Sequence, residues 1–286
     1  MKNKKPLLGA HVSVAGGVQN GILRAENIGA QVIQIHASSP RQWTAKAQKK
    51  ENIDKYKELL REGKVEAVFL HAPYLINIAS KDSVMIKKST DALDGQIRLA
   101  EDLNAHGVVV HMGSVGMGNG KEGAAERAAG VIKDVLVKNP GAAYIILENS
   151  SGGGGKFGAT AAEIGEVVKR VASDRVRICI DTAHAFGSGE LEFSTAGVRH
   201  FFETYEKEAG KDKIALMHIN DSKAEFGSFK DRHENIGDGL IGIEGFKILA
   251  QDKSAIKVPW VLEVPGIEGG GPDSENMRRI QSIFVK

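Results

Sequence analysis

YIILE, residues 144–148, is a short apolar run that stops on a carboxylate. Seven other runs have the same form: LLGAH ends at His11, VIQIH at His36, VFLH at His71, VVVH at His111, ICID at Asp181, ALMH at His218 and WVLE at Glu263. Runs that are apolar throughout are the mark of strands buried on both faces, as parallel sheets require. Between them lie segments with helical spacing, at 17–29, 51–62, 83–105, 121–137, 160–172, 195–209, 244–251 and 273–285. Eight alternations of strand and helix predict right-handed βαβ units that close into a parallel (β/α)8, or TIM, barrel. In that architecture chemistry collects at the C-terminal ends of the strands. The eight terminal side chains are therefore expected at one edge.

The chain has 286 residues and suits a single domain spanning 1–286, since about 250 residues is typical of such a barrel. Lys and Arg number 38 against 36 Asp and Glu, a net charge of +2. That balance neither argues for nucleic acid nor excludes a local basic rim. One cysteine, Cys179 in RICID, rules out a disulfide framework and a Cys-rich zinc site, and is expected to pack as a small apolar residue in a reducing, cytoplasmic setting. The start MKNKKPLLGA lacks the apolar core of a signal peptide, and no run approaches the roughly 18 residues of a membrane span.

Two glycine-rich stretches resemble phosphate-binding loops and fail in detail. Gly116, Gly118 and Gly120 would need a further glycine at 121, which is Lys121. Gly152 to Gly155 precede Lys156, but a P-loop needs Gly where Ser150 stands and Ser or Thr where Phe157 stands. Both read as flexible loops following strands.

Seven of the nine histidines fall at strand ends or just beyond: His11, His36, His71, His111, His184, His218 and His233. Only His106 and His200 are expected on helices. In DTAH, His184 follows Asp181 by one turn; in DRH, Asp231 and His233 are two apart and face the same side of an extended chain. The strongest ligand candidates are His71, His111, Glu148, Asp181, His184, His218, Asp231, His233 and Glu263. Imidazole and carboxylate donors without thiolate suit Zn2+ or Mn2+. A catalytic zinc takes about three protein ligands, so nine imply two or three ions. Crowded carboxylates would raise one another's pKa unless cations neutralise them. A cationic multimetal cleft suits a phosphate ester.

These residues sit in motifs that resemble endonuclease IV, the metal-dependent apurinic/apyrimidinic endonuclease family of base-excision repair. The resemblance is carried by HAPYLINIAS at 71–80, CIDTAHAFGSG at 179–189 and HINDSKAEFGSFKDRHENIGDG at 218–239. GAHVSVAGG at 9–17, PRQW at 40–43, LEN at 147–149 and LEV at 262–264 extend it along the chain. It implies a TIM-barrel phosphodiesterase with three Zn2+ ions, Mn2+ being possible at one or more sites. Such an enzyme cuts double-stranded DNA on the 5′ side of an abasic site, leaves a 3′-hydroxyl and also removes 3′-blocking groups. The resemblance implies that Glu148 bridges two ions, one completed by His71 and His111 and the other by Asp181, His218 and Glu263. His184, Asp231 and His233 would hold the third. Glu148 and Glu263 would be the catalytic carboxylates, Glu263 orienting or deprotonating the attacking water. Arg41, Tyr74 and Leu75 would enter the duplex at the lesion, where the missing base makes extrusion cheaper. Trp43 would anchor the Arg41 loop. The implied state is a monomer acting on DNA, with no membrane partner.

Three positions depart from the family's pattern. Met112 stands where proline is common, the Gly152–Gly155 run replaces a shorter polar loop, and His36 replaces an aromatic residue and is not expected to be a ligand. His11 is likewise expected beside the ligands rather than among them. The competing enzymatic reading is a sugar isomerase or epimerase of the xylose-isomerase type, which shares the barrel but needs fewer metal ligands. A non-catalytic lesion binder or metal-storage protein is the other alternative.

Overall fold

A computed structural model describes residues 5–36, 42, 43 and 48–285. Arg41 lies outside these residues. In chain order the elements are β1 (Leu8–His11), α1 (Gln19–Ile28), β2 (Val32–Ile35), α2 (Lys50–Arg61), β3 (Ala67–His71), α3 (Ser83–Asp102), β4 (Gly107–His111), α4 (Ala124–Lys138) and β5 (Tyr144–Glu148). There follow α5 (Ala161–Val171), β6 (Val176–Asp181), α6 (Thr182–Ser188), α7 (Thr195–Ala209), β7 (Ile214–His218), β8 (Asp221–Ser222), β9 (His233–Glu234), α8 (Gly242–Leu249), β10 (Trp260–Leu262) and α9 (Ser274–Ser282).

The eight apolar runs become β1 to β7 and β10, all parallel, closed into a barrel by pairing of β1 with both β2 and β10. The TIM barrel expected from the runs is the fold observed. Gly9 permits the β1–β2 approach: a Cβ there would lie 2.0 Å from the carbonyl oxygen of Val32. Two hydrophobic layers hold the structure. Val32, Ala67, Phe69, Val109, Ile146, Cys179, Leu216 and Val261 fill the barrel. A larger layer lies between strands and helices, where the alternate strand residues meet Ile22, Leu93, Ile97, Ile132, Ile164 and Phe246. Trp43 packs against this outer layer.

Helix starts follow local chemistry. The side chains of Asp82, Thr160, Ser194 and Asp273 accept from backbone N–H groups of the first turns of α3, α5, α7 and α9, which satisfies donors that the helix itself cannot. Three features differ from the sequence reading. α3 ends at Asp102 rather than 105, because Asn104 takes a left-handed conformation with φ 50°. His106 consequently lies off the helix, on the approach to β4, where its N–H donates to the carbonyl of Val68. The short α6 and the antiparallel β8–β9 pair were not expected; both are too short to impose a period on the sequence. Among the described residues no helix is long and apolar enough to cross a membrane.

Candidate metal centre

Side chains two apart on a strand point the same way, and this aims the site. The barrel-filling residues Val32, Phe69, Val109, Ile146, Cys179, Leu216 and Val261 are followed two positions later by Gln34, His71, His111, Glu148, Asp181, His218 and Glu263. The interior of the barrel thus changes at one level from apolar to ligating. His184 joins from α6. The carboxylate of Asp181 caps that helix, accepting from the His184 N–H at 2.8 Å. Asp231 arrives on the excursion between β8 and β9, and His233 is the first residue of β9.

Three groups of ligand atoms result, each with all its atoms within 4.8 Å of one another: His71, His111 and Glu148; Glu148, Asp181, His218 and Glu263; and Asp181, His184 and His233. Glu148 joins the first two. Its Oε2 lies 3.1 Å from His71 Nε2 and 3.2 Å from His111 Nε2, while its Oε1 lies 3.0 Å from His218 Nδ1. Glu263 Oε2 is 3.2 Å from His218 Nδ1. Asp181 sits between the second and third groups, its Oδ2 3.9 Å from His218 Nδ1 and 3.7 Å from His233 Nε2. Asp231 flanks the third, with Oδ2 3.1 Å from His184 Nε2 and Oδ1 3.4 Å from His233 Nε2. All nine residues singled out from the sequence therefore meet at one end of the barrel. The spacing of Asp231 and His233 brings them together as their alternation suggested.

The donor set fits divalent cations. Two donors on a tetrahedral zinc with bonds near 2.0–2.1 Å lie about 3.3 Å apart, close to the separations above. His233 Nε2 is buried and has no hydrogen-bond partner among the described residues. Such an orphan costs about 1–3 kcal/mol unless something takes up the nitrogen, and it points at two carboxylates. The other ring nitrogens are engaged as well: His71 Nδ1 faces the Ala72 carbonyl at 2.8 Å, and His184 Nδ1 lies 3.1 Å from the Asn149 carbonyl and 3.4 Å from Glu148 Oε1. This leaves Nε2 of each toward the cluster, the arrangement by which metal-bound imidazoles are oriented.

Charge is shared within the cluster. Burial alone would raise the carboxyl of Glu148, but His111, His218 and His184 around it hold it well below its ordinary value. Burial acts likewise on Glu263, and His218, His11 and His71 reverse it. Burial would lower His184, yet Asp181, Asp231 and Glu148 place it well above its usual value. His111 is different: burial outweighs Glu148 and pushes it down to about 4, leaving a neutral ring with a free lone pair.

The neighbours are as informative. His11 Nδ1 lies 2.8 Å from Glu263 Oε1, and His36 Nδ1 lies 3.0 Å from the His71 carbonyl; neither belongs to a ligand group. Tyr74 is 64% exposed at the rim, its ring 5.7 Å from that of His71, and Leu75 is half-buried beside it. The two glycine-rich stretches follow β4 and β5, as expected, and are joined to each other. Val115 N–H donates to the Gly155 carbonyl, and the Ser114 hydroxyl to that of Gly154. At Gly153 a Cβ would meet the Phe229 carbonyl oxygen at 2.1 Å. This close approach lets Lys156 Nζ reach Asp231 Oδ2 at 3.2 Å. Met112 is buried, and its carbonyl accepts from Ala79 N–H. Residues that the sequence reading passed over are Gln34, Asn149, Lys156, Asn220 and Asp221. Asn220 Nδ2 donates to Asp181 Oδ2 at 2.7 Å, and its Oδ1 accepts from Glu263 N–H. For Gln34 and Asn149, a polar residue inside or directly after an apolar strand run was the available signal.

Residues 22–283 match the family described as Xylose isomerase-like TIM barrel. A probable endonuclease 4 of Nitratidesulfovibrio vulgaris is 36% identical over 281 residues, covering 97% of this chain and 99% of the relative. One of Aquifex aeolicus is 32% identical over 278 residues, covering 97% and 98%. Among solved structures, endonuclease IV from Thermus thermophilus has a TM-score of 0.83 at 26% identity, covering 98% of this chain and 99% of that one. A D-tagatose 3-epimerase-like protein has a TM-score of 0.73 at 20% identity over 97% and 96%, a likeness of fold alone. Relatives this similar over nearly the whole length decide between the two enzyme classes that share the barrel, and the chain belongs to the endonuclease IV family of enzymes.

Proposed function

We propose that this protein hydrolyses the phosphodiester on the 5′ side of abasic sites in double-stranded DNA, leaving a 3′-hydroxyl, and that the same site removes 3′-blocking groups. The observation that carries the reading is Glu148: a fully buried carboxylate whose two oxygens face two different sets of imidazoles. The reading places one divalent ion with His71, His111 and Glu148, a second with Glu148, Asp181, His218 and Glu263, and a third with His184, Asp231 and His233. Zn2+ suits these donors, and Mn2+ can replace it. Divalent ions in such a cluster lower the pKa of water and neutralise charge building on a phosphate.

The chain's own residues do the rest. Glu263 is fixed through Oε1 by His11, which leaves Oε2 turned toward the cluster, where it would hold the cation and help to orient the attacking water. Lys156 puts a cation at the rim, 43% exposed, within reach of a DNA phosphate. Tyr74 and Leu75 offer apolar surface beside the site for the space left by the missing base. Arg41 is assigned the same role from its motif. A duplex with one tetrahydrofuran abasic analogue tests the reading. Cleavage 5′ to the lesion is expected, abolished by chelation and by Glu148→Gln. A metal-loaded wild-type protein that leaves the duplex intact refutes it.

A further inference from the structure

Gln34 is fully buried at the level where the barrel interior turns from apolar to ligating. A buried amide is costly unless its polar atoms are matched, and those of Gln34 are matched to two proposed ligands. Its Nε2 donates to Glu263 Oε1 at 2.6 Å, and its Oε1 accepts from His218 Nε2 at 2.9 Å. The amide has only one workable orientation. Turned over, its oxygen would face the Glu263 carboxylate, acceptor against acceptor. The same Nε2 lies 3.1 Å from His11 Nδ1, which also holds Glu263 Oε1. One side chain therefore grips a carboxylate and an imidazole that come from β7 and the end of β10.

We infer that Gln34 is the positioning residue of the ion site formed by Glu148, Asp181, His218 and Glu263, selecting the tautomer of His218 and the rotamer of Glu263. With Nε2–H committed to Gln34, the lone pair of His218 resides on Nδ1. That nitrogen faces Glu148 Oε1 at 3.0 Å and Glu263 Oε2 at 3.2 Å. With Oε1 of Glu263 committed to Gln34 and His11, Oε2 is the oxygen offered to the cation. Partners of this kind typically contribute about 10–100-fold to metal affinity. The inference rests on the metal-centre reading above and adds a residue to it.

The test replaces the amide by an apolar side chain of similar length, Gln34→Met, with Gln34→Leu as a second apolar variant should the first fail to fold. Zinc affinity is measured on the full chain by competition with a chromophoric chelator. One ion per chain is expected to bind about 10–100-fold more weakly than in wild type, with the others unchanged and with the far-ultraviolet circular dichroism preserved. In the zinc-loaded protein, 15N-histidine NMR should show a downfield, slowly exchanging His218 Nε2–H proton that moves upfield and exchanges faster in the variant. A folded variant with wild-type affinities, or with the His218 proton unmoved, overturns the inference while leaving the proposed function standing. A wild-type chain that takes up no zinc overturns both.

Discussion

Tyr74 stands beside the proposed ligand His71 with much of its ring in solvent. It lies three positions after His71 and is 64% exposed, with its ring 5.4 Å from that of His36. One part of the ring packs on His36, His71 and His111, and to its exposed part a duplex lacking a base would offer a stacking partner. Tyr74→Ala is expected to weaken binding of an abasic-analogue duplex by about 1–3 kcal/mol, the worth of one base-stacking contact. Zinc content should stay at the wild-type value. Fluorescence anisotropy with the labelled duplex, beside metal analysis, checks both. An equal loss on undamaged duplex would assign the ring a general role rather than a lesion-specific one. At this scale the sequence was readable where a residue ended an apolar run: His71, His111, Glu148, Asp181 and His218 each close a strand. It was less readable where the functional level falls inside the run. VIQIH ends on His36, but the side chain that bonds His218 and Glu263 is Gln34, two residues earlier on the same face, because β2 is registered with Gln34 against His11 of β1.

Among elements, the excursion from β8 to α8 is the one whose geometry the site depends on most. Asp221 is buried at its root and ties it together. Its Oδ1 accepts from the N–H groups of Ser222 and Ile241, and its Oδ2 from those of Gly237 and Gly239. The segment so closed carries Asp231 and His233 to the cluster. Asp221→Ala would leave several buried donors unmatched, at about 1–3 kcal/mol each. A loss of about 3 kcal/mol or more is therefore expected in thermal or denaturant unfolding. Proteolysis within 223–242 should become faster, and the ion proposed at His184, Asp231 and His233 should be lost first. Unfolding and proteolysis indistinguishable from wild type would show that the segment holds its shape without this carboxylate. The DRH spacing singled out the two ligand candidates, but the role of Asp221 depends on N–H groups as far as 21 residues away, and no local pattern encodes them.

Across the whole molecule, the barrel and the cluster are separable. The interior and outer hydrophobic layers do not include the ligands, so chelation should abolish cleavage while leaving the far-ultraviolet circular dichroism unchanged. The pH dependence of the metal-free protein follows from the charge sharing. His184 and His218 lie well above their ordinary 6.5, so the stability they contribute is fully present below that value and is lost as pH rises through their raised values. Glu148 and Glu263 lie well below 4.5; their contribution is present above it and lost as pH falls through their depressed values. Thermal unfolding of the metal-free chain between about pH 5 and 9 should therefore show falling stability on the alkaline side. Metal ions displace the same protons, so zinc affinity should rise over that range. A metal-free melting temperature that climbs steadily toward alkaline pH would contradict this charge assignment.

By itself, the sequence determined the barrel, the edge that carries chemistry and the identities of the nine clustered side chains. Strand periodicity and the apolar-to-polar change at each strand end are local, and parallel barrels admit few alternatives once eight such units alternate. Only the tertiary structure decided how the cluster is divided. Glu148 is shared by the first and second groups, Asp181 by the second and third, and Gln34 and His11 hold Glu263. Those relations depend on the relative placement of strands remote in sequence, set by barrel closure and register rather than by any residue's neighbours along the chain.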